Sequence, residues 1–267
     1  MTISRVSKPG VAGMFITAVL CVAPRASAQA TVPPALSESQ LCMQAMQPAT
    51  ATAARAALQQ TLARATGASA AFLRGCQQLI DGNSGKAVDD FEQVTKLAPT
   101  RASGWSWLGR AYGDQARKAN VLSQALLARK TKQAFERAVQ LDPDDVEART
   151  FLAAFYQMAP SVMGGSEQLA MQQIDAIRAR NPYAGAIASA GLKSRRKDVA
   201  GAVAELTPLT RSYPDSIGPW RQLFNVYLNA KQWTDATRIL ESTRKALPRS
   251  RWPDSAQTRL ADRIKKG

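Results

Sequence analysis

Trp220-Arg221-Gln222-Leu223-Phe224-Asn225-Val226-Tyr227, followed by Ala236, Leu240, Thr243 and Pro248, is the stretch that decides the fold. Trp220, Leu223 and Tyr227 recur at three and four residues, so they share one helical face. Ala236 and Leu240, four apart, lie on a second helix. The small alanine lets the two helices approach, and the leucine one turn later fills the space between them. Pro248 stands where the chain must leave that helix, because proline cannot continue it.

The closing cadence occurs four more times upstream: Ala87-Phe91-Val94-Pro99, Thr131-Phe135-Ala138-Pro143, Ala170-Ile174-Ile177-Pro182 and Ala202-Leu206-Leu209-Pro214. A second complete opening, Trp105-Leu108-Gly109-Tyr112, precedes the Pro143 copy. One such helix pair cannot bury its apolar face alone, and stacked neighbours bury it together. An Ala-rich bundle would not repeat its internal spacing in this way. The spacing predicts five units, over 68–99, 102–143, 146–182, 183–214 and 217–248. These residues resemble the tetratricopeptide repeat (TPR) family. The resemblance covers the five units. It departs from the family pattern in the first and fourth, which lack the aromatic opening, and at Phe224, which stands where the Trp105 copy has Gly109. It implies an all-α, right-handed superhelical solenoid of antiparallel helix pairs, acting as an interaction scaffold.

The flanks read differently. Arg5 and Lys8, then an apolar run over 11–23, then Ala26-Ser27-Ala28 form a secretory signal pattern, too short to span a membrane. Residues 1–28 are therefore expected to be cleaved and the mature chain to be periplasmic or secreted, with no transmembrane segment. Removal takes Arg5, Lys8 and Arg25 and no acid, lowering the net charge from +15 to +12. A basic balance suits anionic partners, and export argues against nucleic acid. Residues 29–67 hold a leader and two capping helices, the first opened by Ser37 with Gln40 three residues on. A last helix from Ser255 to Lys265, capped by Asp254, is expected to cover the fifth unit with Leu260 and Ile264; the C-terminal cap is 249–267. Cys42 and Cys76 remain after cleavage, and either a disulfide or a buried thiol at Cys76 fits the sequence.

No histidine is present, and no phosphate-binding loop, dinucleotide fingerprint, C-x-x-C or nucleophile elbow occurs. No catalytic residue, cofactor or metal is expected. Asp142, Asp144 and Asp145 surround Pro143 and read as turn and cap residues.

The TPR resemblance implies a concave groove lined by the first helix of each pair. Trp105 and Trp107 are two apart and cannot both face inward. Trp105 matches the packing position, which leaves Trp107 for the groove or for the neighbouring unit. Leu73 and Phe151 hold the same place as Trp107 in the first and third units, with Arg110 one turn further. Arg221, Gln222, Asn225 and Asn229 line the last. Arg221 with Asn225 resembles the start of a carboxylate clamp, but no full unit follows to complete it. Two insertions, between Tyr112 and Thr131 and over 159–166, are expected in the turns along one edge. That edge gathers Arg117, Lys118, Arg129, Lys130 and Lys132, and a turn of Lys193, Arg195, Arg196 and Lys197. The opposite edge holds Asp142, Asp144, Asp145, Glu147 and Asp215. The expected partner is a protein or peptide. The alternative is an envelope ligand such as an anionic lipid, a glycan or a small molecule.

Overall fold

Thirteen α-helices and no strand make up the described residues. The computed structural model describes residues 36–47 and 50–266. The expected signal segment lies outside them. Two short helices come first, α1 (Glu38–Met46) and α2 (Ala51–Leu62). Five helix pairs follow: α3 (Gly67–Ile80) with α4 (Ser84–Leu97), α5 (Ala102–Ala116) with α6 (Val121–Leu141), α7 (Val146–Met158) with α8 (Glu167–Arg180), α9 (Pro182–Arg195) with α10 (Val199–Ser212), and α11 (Ile217–Asn229) with α12 (Trp233–Ala246). α13 (Trp252–Lys265) closes the series, and each helix packs on the next.

The recurrent positions lie in the core. Ala87, Phe91, Val94, Ala138, Ala170, Ile174, Ile177, Ala202, Leu206, Ala236, Leu240 and Thr243 are all completely buried. The glycine of the opening has a steric cause: a Cβ on Gly109 would stand 2.6 Å from the Phe135 ring, and one on Gly75 would stand 2.9 Å from Phe91. The fifth pair solves the same problem otherwise. Phe224 is fully buried and meets Trp252 of α13 edge-on, ring centroids 5.5 Å apart. Part of the tying between pairs also repeats. The Tyr112 hydroxyl donates to Glu92 at 2.6 Å, and the Tyr156 hydroxyl donates to Glu136 at 2.8 Å, each across 20 residues to the preceding pair.

Helix ends follow local chemistry. Ser37 and Gln40 form the reciprocal capping box of α1. Asp145 caps α7 through the Glu147 and Ala148 amides, and Asp142 accepts from the Asp144 amide. Asn181 caps α9 and places Pro182 in its first turn, where a missing N–H costs nothing.

Several expectations change. Asp254 is not a cap: α13 begins at Trp252, and Asp254 sits in its first turn near the Arg244 guanidinium. Ile264 is half exposed, so Leu260 covers the fifth pair without it. The insertion after Tyr112 is not a long turn. Asn120 accepts from the Ser123 amide and starts α6 at Val121, giving a helix of 21 residues. Only the second insertion stays irregular, as a single 3₁₀ turn, Ser161–Met163, ended by Gly164 at φ 92°.

Candidate functional site: a groove filled by its own first helix, and the cleft beside it

α1 lies against the first helices of the first two pairs. Cys42 is disulfide-bonded to Cys76 of α3, Cα atoms 5.8 Å apart, and both residues are buried. This resolves the open choice between bond and thiol. Ser39 accepts a hydrogen bond at 2.8 Å from the Trp107 indole N–H, which also donates to Glu147 at 3.0 Å. Glu38 pairs with Arg101, and the Met43 sulfur accepts from Arg110 at 3.1 Å. Burial, with Asp145 nearby, raises the Glu147 pKa, against the hydrogen bonds of Ser39 and Trp107 and the charge of Arg110.

Trp107 is accordingly a packing residue and not an open groove anchor. It is completely buried, with Phe72, Phe91 and Phe151 around it at centroid distances of 5.9, 6.1 and 6.1 Å. Leu73 is equally buried. Burying a ring this size removes about 200 Å² from water, worth about 5 kcal/mol before ordering costs. Glu147, expected on an open acidic edge, is instead half buried under the indole.

Beyond Arg110 the groove opens. A cleft of about 610 Å³ lies between α5, α6, α7 and the 159–163 turn. Arg110, Phe135, Phe151, Phe155, Met158 and Met163 form its wall, with alanines and glycines between them. The Arg110 guanidinium lies over Trp107 at 4.9 Å and Phe151 at 5.6 Å. Burial lowers its pKa, against the attraction of Asp114 and Glu147 and with a small push from Arg117. Among the described residues no carboxylate is in ion-pair contact with it. The cleft can therefore take apolar side chains along Phe151, Phe155 and Met158, and an acceptor at Arg110. Sequence reasoning does not single out Phe155 or Met158, and it reads Phe135 only as a recurrent packing position. A signal for two of them is present: Phe151, Phe155 and Met158 are spaced four and three apart, on one helical face.

The later groove residues do not converge. Asn225 accepts from Arg259 of α13 at 2.8 Å, so the cap helix takes the second member of the clamp-like pair. Arg221 and Asn229 are exposed and Gln222 is half buried. Burial lowers the Arg259 pKa, and the charges of Arg221 and Arg263 add to it.

The basic edge divides in two. Around α6, Arg117 pairs with Asp114 at 2.6 Å, Lys118 donates to the Gly82 carbonyl at 2.6 Å, Lys130 lies over Tyr112 at 5.1 Å, and Arg129 is exposed. The expected turn at 193–197 is mostly helix. Lys193 and Arg195 belong to the last turn of α9, Lys193 pairs with Glu205 at 2.9 Å, and Arg196 pairs with Glu167 at 2.6 Å. Lys197 sits at φ 63°, exposed. Burial would raise the Glu205 pKa, but hydrogen bonds from Arg178, Lys193 and Ser189 outweigh it and hold the carboxyl at about 2.

Among the described residues no group of three or more metal-ligating side chains could hold an ion, and no helix is long and apolar enough to cross a membrane.

Neither a protein-family model nor a curated protein matches the sequence. Solved structures do. A thermophilic TPR protein of Thermus thermophilus aligns with a TM-score of 0.56 at 15% identity, over 74% of this chain and 98% of that one. A tetratricopeptide repeat protein of Parabacteroides merdae covers 75% of this chain and 74% of its own, at 11% identity and TM-score 0.49. MamA covers 67% and 91%, at 15% identity and TM-score 0.45. The Thermus structure, the spacing of the five cadences and the stacked pairs agree: this chain has the fold of a tetratricopeptide-repeat solenoid.

Proposed function

We propose that the protein is a non-enzymatic interaction scaffold of the cell envelope, periplasmic or secreted, which holds a protein or peptide partner in the cleft between α5 and α7. The observation that carries this reading is the cleft itself. It is concave, largely apolar and aromatic, with a few placed polar groups, which is the make-up of a binding site. It also lies where the protein's own α1 leaves the groove. The partner's apolar side chains would pack on Phe151 and Phe155, and an acceptor would meet Arg110. Aromatic and arginine side chains in pockets dominate such interfaces. The test is site-specific photo-crosslinking in intact cells, with the probe placed at Phe155 and, separately, at Asn229. A crosslinked partner from Phe155 and none from Asn229 is expected. Crosslinks from Asn229 alone would move the site to the last pair and overturn the assignment.

A further inference from the structure

We propose that the edge built by the two insertions docks on an anionic bilayer surface. This goes beyond the scaffold reading and uses a different surface from the cleft wall. Between Asp114 and Glu136 the chain carries Arg117, Lys118, Arg129, Lys130 and Lys132 and no acid. The same stretch raises Val121, Leu122 and Leu126 into solvent, 75%, 87% and 59% exposed, at the start of α6. Leu122, Leu126 and Arg129 are spaced four and three apart, on one helical face. Across the cleft, the second insertion adds Val162 at 90%.

The two insertions flank one cleft. The cleft is bounded by Gln124 and Ala128 of α6 on one side and by Met158, Pro160 and Met163 on the other. On the far side of α6, Lys118, Leu126 and Lys130 line a second hollow with Tyr112. Apolar tips and cations therefore alternate along a strip, the face of α6 turned away from the cleft, and Val162 stands on the cleft's opposite rim. The carboxylates that bound the strip in the chain, Asp114 and Glu136, are paired with Arg117 and Lys132, the latter at 3.6 Å.

The chemistry of the strip selects the occupant. Its exposed apolar members are aliphatic; none is an aromatic anchor seated in a pocket, as protein interfaces favour. The charge carried by residues 115–135 has one sign. Aliphatic tips beside lysines and arginines suit the boundary between acyl chains and anionic headgroups, where apolar burial and charge attraction add. Leu122, Leu126 and Val162 would enter that boundary, and Lys118, Arg129 and Lys130 would meet the headgroups.

The test is co-sedimentation of the purified protein with vesicles of phosphatidylcholine alone and of an equal mixture with phosphatidylglycerol, at low and physiological salt. Binding to the anionic vesicles only, weakened by salt, is expected. The triple variant Leu122→Gln, Leu126→Gln, Val162→Gln should bind about tenfold less tightly. So should Lys118→Gln with Arg129→Gln and Lys130→Gln. Both carry the same residues 1–35 as the parent, so that segment's contribution cancels. All six positions are exposed or at the surface, and unchanged circular dichroism and melting will verify folding. As a direct probe, Leu122→Trp should shift its emission to the blue on anionic vesicles. Equal binding by parent and both variants, equal binding to neutral vesicles, or no binding overturns the proposal. A photo-crosslinked protein partner at Leu122, with no vesicle binding, would assign the strip to a protein instead. Loss of the Phe155 crosslink with vesicle binding intact would strike the scaffold reading and leave this one standing.

Discussion

The first three helix pairs and the last two solve the same packing problem with different materials. From α1 to α7 the interior is aromatic: Phe72, Phe91, Trp107, Phe135 and Phe151 form a connected chain of rings, and a disulfide ties the first helix across them. Where the fourth pair meets the fifth the interior is aliphatic, built from alanine, leucine, valine and isoleucine, and a fully buried ring returns only at Phe224 beneath α13. A polar knot around Glu205 does part of the joining there, linking α8, α9 and α10. The ion pairs of that knot depend on pH, and the ring contacts of the first half do not. In a repeat array stability is a sum of local and nearest-neighbour contributions, so such a contrast should be measurable half by half.

The largest expected effect is at Trp107. Trp107→Ala empties the middle of the ring chain and removes the donor to Ser39 and Glu147, and should cost about 3–5 kcal/mol. Trp220, the aromatic residue of the deciding stretch, is only half buried, and its indole N–H has no partner among the described residues. Trp220→Ala should cost about 1–2 kcal/mol. Urea denaturation of both variants compares the halves directly. A greater loss from Trp220 than from Trp107 would reverse the contrast.

Reduction of the disulfide comes next. Cys42 and Cys76 are 34 residues apart, and opening that loop should cost about 2–4 kcal/mol. The loss should appear in the melting of the first half and leave the Glu205 knot intact. Cys42→Ser with Cys76→Ser, measured without reductant, should reproduce it. Equal destabilisation of both halves would mean that the array unfolds as one unit.

Acid should act on the other half. The Glu205 carboxyl is held at about 2, below the ordinary carboxylate value of 4.5. A depressed carboxylate contributes stability above its unfolded value, and that contribution disappears as pH falls through the folded one. The knot should therefore weaken between about pH 4.5 and 2. Arg178 is partly exposed, so solvent screening limits the effect to about 1–2 kcal/mol. Glu205→Gln should flatten this part of the stability profile, and the disulfide variant should not. An unchanged acid limb in Glu205→Gln would remove Glu205 from the account.

Much of this architecture is legible in the chain, because it rests on spacing. The cadence of four, three and five residues needs only a helical period and a break, and proline supplies the break. Ser37 with Gln40 announces α1. What the sequence does not show is where α1 goes. It buries only Leu41, Cys42 and Ala45, too small an apolar face to specify a docking place. Its position follows from a disulfide and from polar contacts made 63 to 68 residues away. Once α1 is there, Trp107 and Leu73 cannot line an open groove. The α6 extension escapes the sequence reading for a different reason. Its start signal is the Asn120 cap, and the turns after it bury no residue before Thr131, so the recurrent core positions that mark the other helices are missing there. Asn225 looks free for a ligand because Arg259, which reaches it, lies on a helix 34 residues on.

The central claim is that the protein fills the first part of its own groove with α1 and leaves the α5–α7 cleft open. Amide hydrogen exchange of the oxidised protein measures this most directly. Leu41, Cys42 and Ala45 should be protected to within about tenfold of Leu108 and Ala111 in α5, and Cys42→Ser should release α1 while α9 to α13 keep their rates. Exchange of the α1 amides at open-chain rates in the oxidised protein would contradict the claim, and would return Trp107 to the groove surface.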